Sequence, residues 1–122
     1  MSNARIEVNF DKLEMLAGEE PEFMIEILEM IVEESPEVRS KMDSCFSSSS
    51  HDELASTAHK FKSSVNVLGH PVIDKLLKDI ENTASGKLPS ETESLSDLMD
   101  QFHQTCDVIL EQIQQKLEDL KA

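Results

Sequence analysis

Apolar residues recur every three or four positions along most of the chain, and strand-like alternation is absent. That period predicts helices throughout. Five segments emerge. The first is short: Asn9 or Asp11 caps it, Phe10, Leu13 and Leu16 form its apolar side, and Gly18 suits its end. The second starts near Glu20, with Pro21 in the first turn, where a missing N–H costs nothing. Its buried stripe is Phe23, Met24, Ile27, Leu28, Ile31 and Val32. Pro36 should kink or interrupt it before the pattern resumes through Val38 and Met42 to about Phe46. A serine linker, 47–50, follows.

The third segment has clear ends. Ser50-His51-Asp52-Glu53 reads as a capping box, in which the serine oxygen takes an N–H three residues on. Leu54, Ala58, Phe61, Val65 and Leu68 form the stripe, and Gly69 follows as a left-handed stop. The fourth runs from Pro71 to about Ser85 on Ile73, Leu76, Leu77, Ile80 and Ala84, with Gly86 after it. The fifth opens on a second capping box, Ser90-Glu91-Thr92-Glu93. Its eight apolar positions, from Leu95 to Leu120, hold one face for about eight turns. Amphipathic helices joined by short loops pack as an antiparallel four-helix bundle, with the first segment as a short extra N-terminal helix. The 122 residues fit one domain, 1–122. Residues 1–8 are expected to be disordered, or partly a cloning remnant.

Composition narrows the function classes. Hydrophobic residues make up 39%, enough for a packed core. No apolar run is long enough to span a membrane, and no signal peptide is visible at the start. A formal charge of -14 opposes nucleic acid and anionic lipid as partners and is compatible with a protein partner that has a basic rim. Cys45 and Cys106 lack motif spacing and read as reduced core thiols, with the cytoplasm as the default compartment. No metal site is expected from four scattered histidines: His51 sits in a capping box, and His70 and His103 are isolated. No phosphate-binding glycine loop is present, so no nucleotide site is expected.

His59 is the candidate of interest. It lies off the centre of its helix's apolar stripe, and its neighbours one turn away are Ala55, Ser56, Lys62 and Ser63, with Asn66 two turns on. A neutral imidazole nitrogen is a nucleophile near neutral pH. A cation at i+3 can lie beside a phosphoryl group on that ring. Spacing alone favours an ordinary surface histidine beside a lysine.

The stretch 58–69, AHKFKSSVNVLG, resembles the signature of histidine phosphotransfer (HPt) domains, AH-x-L-K-G-S-A-x-x-L-G. Ala58, His59, apolar Phe61, Lys62, Ser64, Leu68 and Gly69 match it. The flanks also resemble the family: Phe23 to Val38 with its proline, and Leu76, Leu77, Ile80 and Glu81 on the helix behind. The resemblance implies that His59 is the phosphoacceptor through Nε2, relaying the group between receiver-domain aspartates in a two-component phosphorelay. It further implies that Lys62 stabilises the phosphoryl group and that Glu81 orients the imidazole and raises its nucleophilicity. Ala55, Ser56, Ser63 and Asn66 would form the docking surface. Ser63 departs from the family's glycine, which bears on how closely a partner can dock.

On this reading the chain is a carrier and not an enzyme. It has no cofactor of its own, and Mg2+ is expected only in the partner receiver. The partners are response-regulator receiver domains or a hybrid sensor histidine kinase, and the chain is expected to be a monomer. Three alternatives stay open: an HPt-like docking or adaptor module that binds a receiver without transfer, a structural four-helix adaptor unrelated to signalling, and direct phosphorylation by a kinase domain, as in chemotaxis kinases.

Overall fold

The structure, a computed structural model, describes residues 7–18, 20–86 and 94–122. It contains α1 (Asp11–Ala17), α2 (Pro21–Ser47), α3 (His51–Val65), α4 (Pro71–Ala84) and α5 (Leu95–Lys121), with no strand among the described residues. The helices α2 to α5 form a closed ring, each packed on two neighbours, and α1 lies across α2 and the end of α3. Cross-helix pairs show the antiparallel order. Arg39 and Asp43 on α2 meet His103 on α5, while Glu29 near the start of α2 meets Lys121 at the end of α5.

Most predicted stripes face this core. Leu54, Ala58, Phe61, Val65 and Leu68 are all buried, as are Ile73, Leu76, Leu77, Ile80 and Ala84. Phe61 meets Phe102 of α5 edge-on across the centre, with ring centroids 6.1 Å apart. That contact fixes the rotation of α3 and sends His59, two residues away, to the outside. Removing the Phe61 ring would cost about 3–5 kcal/mol by the usual scale for buried aromatics.

Several expectations need correction. Pro36 does not interrupt α2, which runs unbroken from Pro21 to Ser47. Leu16 and Phe23 are exposed, because they lie on sides of α1 and α2 that no other described helix covers. Ser50 is at the N-cap of α3 but makes no side-chain cap bond; its hydroxyl pairs with Ser48 Oγ at 2.9 Å. The second capping box lies outside the described residues. The described cap of α5 is Ser94, whose Oγ accepts from the Asp97 N–H at 3.1 Å. Of the segment expected to be disordered, 1–6 lies outside the described residues. Val8 is buried, and its N–H donates to Gln112 Oε1 at 2.6 Å.

The end of α3 is held from outside. After Val65 the chain tightens into a 3-10 turn, Asn66–Leu68, and Gly69 takes φ 55°. A side chain there would be strained and its Cβ would lie 2.9 Å from the Asn9 carbonyl oxygen. The Asn9 N–H donates to Leu68 O at 2.8 Å. The N-terminal segment thus clamps the end of the helix that carries His59.

Candidate functional site

The imidazole of His59 sits past the middle of α3, with its side chain 59% exposed. Glu81, one turn before the end of α4, approaches from behind. Its two carboxylate oxygens lie 3.1 and 3.2 Å from His59 Nδ1. An ionised carboxylate can only accept, so Nδ1 carries the proton. In the neutral ring the lone pair is then on Nε2. Glu81 is held in turn by Lys62, whose Nζ is 3.6 Å from Oε1. One carboxylate therefore orients the ring and restrains the nearest cation. Both bonds cross between α3 and α4, so the site depends on the register of that helix pair.

The other predicted site residues divide. Ser56, Ser63 and Asn66 are exposed on the His59 side of α3. Ala55 is not: it is buried in the core at 9% exposure, because it flanks Leu54 on the side covered by a neighbouring helix. The Ser63 hydroxyl points back along the helix and donates to the His59 carbonyl at 3.4 Å. Asn66 Oδ1 accepts from Lys12 Nζ of α1. Beside His59 runs an open groove lined by Lys62, Ser63, Asn66, Asp74, Lys75, Lys78 and Asp79. Burial raises the Asp74 carboxyl above its ordinary value, against the pull of His70, Lys12 and Lys62.

Two histidines have roles that their sequence context did not reveal. His70 is buried and caps α4, its Nδ1 accepting from the Ile73 N–H at 3.2 Å. Its place directly before Pro71 was the available signal, although histidine is outside the usual capping set. His103 joins α2 to α5. Its Nδ1 accepts from Arg39 Nε at 3.0 Å, and its Nε2 lies 2.7 Å from Asp43 Oδ1. Arg39 also reaches Asp107 at 3.0 Å. No local pattern announces this cluster, since its partners lie 60 and 64 residues away in sequence. Among the described residues, no group of three or more His, Cys, Asp or Glu is placed to hold a metal ion. Among them too, no helix is long and apolar enough to cross a membrane.

The family model for the Hpt domain matches residues 26–122. The chain belongs to the Hpt domain family. The match spans α3 and α4 whole, and with them His59, Lys62 and Glu81. This Hpt domain is accordingly a histidine phosphotransfer module of two-component signalling, a class of phosphocarrier that interacts with receiver domains and kinases. The comparison with curated proteins gave no match, and the comparison with solved structures gave none.

Proposed function

We propose that this Hpt domain relays a phosphoryl group between receiver-domain aspartates through His59 Nε2. The observation that carries the proposal is the carboxylate of Glu81 on Nδ1, which leaves the nucleophilic lone pair on the other nitrogen of an exposed ring. In the transfer, Nε2 attacks phosphorus, the P–O bond to the receiver's aspartate breaks, and the aspartate leaves as a carboxylate. The ring becomes an N-phosphorylated imidazolium that keeps its Nδ1 proton. Glu81 offsets that positive charge, and Lys62 exchanges its contact with Glu81 for one with the phosphoryl oxygens. The reverse step returns the group to a second receiver.

No nucleotide or metal is assigned to the Hpt domain in this scheme; Mg2+ belongs to the receiver. Ser63 fits the role despite replacing glycine, because its hydroxyl is turned toward its own helix and so reaches less far into the docking surface. Ser56 and Ser63 on α3 and Asn66 in the turn after it are the proposed docking residues, and the carrier acts as a cytoplasmic monomer. Ala55 is left out of that surface by its burial.

The test is incubation with a receiver phosphorylated by acetyl phosphate. Wild type should acquire acid-labile, base-stable label and His59→Gln should not. Equal labelling of the variant, or none on wild type with several receivers, sinks the proposal. Receiver binding without transfer would instead favour a docking module.

A further inference from the structure

The acidic residues are distributed unevenly. About one residue in five is Asp or Glu, yet residues 54–73 contain none, where the average would give about four. His59 lies within that stretch. On the opposite side of the ring, α2 carries seven acidic residues against two basic ones, and α5 carries six against two. From His59 to Asp79 the balance reverses, with four lysines against two aspartates.

Structure strengthens the asymmetry. Lys62, Lys75 and Lys78 line the groove next to His59, and Lys12 is brought to its end by Asn66. Two of the three acids nearby are ion-paired. Asp79 pairs with Lys75 at 2.6 Å, Glu81 with Lys62 and His59, and Asp74 is partly buried, with one carboxylate oxygen lacking a hydrogen-bond partner. In a strongly anionic molecule this groove has a small excess of lysine over acid, with Lys12, Lys62, Lys75 and Lys78 against Asp74, Asp79 and Glu81, and it lies beside the candidate phosphoacceptor.

We propose that this groove selects receivers whose phosphorylation site is rimmed by acidic residues, with Lys75 and Lys78 as specificity-determining residues that steer encounter. The inference rests on the phosphotransfer reading of His59 and adds the chemistry of its partner. Among the described helices, an acidic rim is repelled by α2 and α5 and attracted to the α3–α4 groove, so orientation is chosen before contact. Rim charges of this kind act on the association rate, and salt screens them. Lys75 and Lys78 neither pair with Glu81 nor adjoin His59 in sequence, so they are separable from the chemistry.

The experiment measures transfer from a phosphorylated acidic-rimmed receiver at about 20 mM and about 500 mM salt. The same receiver with its rim acids changed to amides is the comparison probe. For wild type, the acidic receiver should lose about tenfold in rate at high salt and the amide receiver should change little. Lys75→Gln with Lys78→Gln should lower the low-salt rate about tenfold while leaving the lifetime of phospho-His59 unchanged. Lys41→Gln with Lys121→Gln removes the same charge elsewhere and should stay within about twofold of wild type. Equal salt dependence for both receivers, or equal losses from both lysine pairs, overturns the steering proposal while phosphotransfer stands. Absence of label on wild type at either salt overturns both.

Discussion

Two imidazoles in this bundle each face a carboxylate across a helix pair, and they are set up for opposite ends. At His59, Glu81 engages only Nδ1, and the ring is largely exposed. At His103, Arg39 donates to Nδ1 while Nε2 donates to Asp43, and the side chain is only 27% exposed. One ring leaves Nε2 without a side-chain partner among the described residues, on the exposed side. The other uses both nitrogens as ties between α2 and α5. On the proposed function, then, the unspent nitrogen and not the His–carboxylate pair distinguishes the phosphoacceptor.

The largest expected effect separates the two rings outright. His59→Gln should abolish labelling from a phosphorylated receiver, whereas His103→Gln should be labelled at close to the wild-type rate. Label retained on His59→Gln and lost from His103→Gln would invert the comparison. Stability should follow the reverse order. His103→Gln should lower unfolding stability by about 1–2 kcal/mol in a urea titration, since it disrupts charge-assisted bonds to Arg39 and Asp43. His59→Gln, at the surface, should stay within about 0.5 kcal/mol.

Smaller effects sharpen the His59 side. Lys62→Ala should leave the helical circular dichroism intact and cut transfer rate or phospho-His59 lifetime about tenfold, the scale of one charge-assisted bond. Unchanged kinetics and lifetime would remove Lys62 from the site. Glu81→Ala should slow transfer by about threefold to tenfold, and Glu81→Gln should recover part of it, because an amide oxygen still accepts from Nδ1. Failure of glutamine to recover any rate would point to the carboxylate's charge in place of its geometry.

The smallest effect lies beside His103. Burial pushes the Cys106 thiol up to about 12, with Arg39 opposing the shift. A folded thiol that ionises later than the unfolded one favours the folded state less as pH rises, so stability falls between the ordinary thiol range and about 12. Melting temperature should decline through that window, and Cys106→Ala should show a shallower decline. Identical slopes would exclude Cys106 as a contributor.

Sequence showed the helices and the exposure of His59 more readily than the surroundings of that ring. The three–four spacing of Leu54 to Leu68 set the phase of α3, and phase alone put His59 outside. Glu81 was located through the family pattern, not through any local signal. Phe23 and Leu16 share the same spacing yet are exposed, because periodicity marks an apolar stripe without saying whether another element covers it. Ala55 shows the converse, a small residue next to the stripe that a neighbouring helix covers. The His103 cluster was invisible for a third reason. It exists only once α2 and α5 lie antiparallel, and nothing within a few residues of His103 encodes that meeting.

The burial of both native thiols has a practical use. Cys45 and Cys106 are 5% and 3% exposed, and neither is paired in a disulfide. Maleimides and other thiol reagents attack the accessible thiolate, so the folded domain should behave as a cysteine-less background. A single cysteine placed at exposed Ser56 would then accept one fluorophore or spin label beside His59. Receiver engagement could be followed optically in real time without stripping the native core of its sulfur.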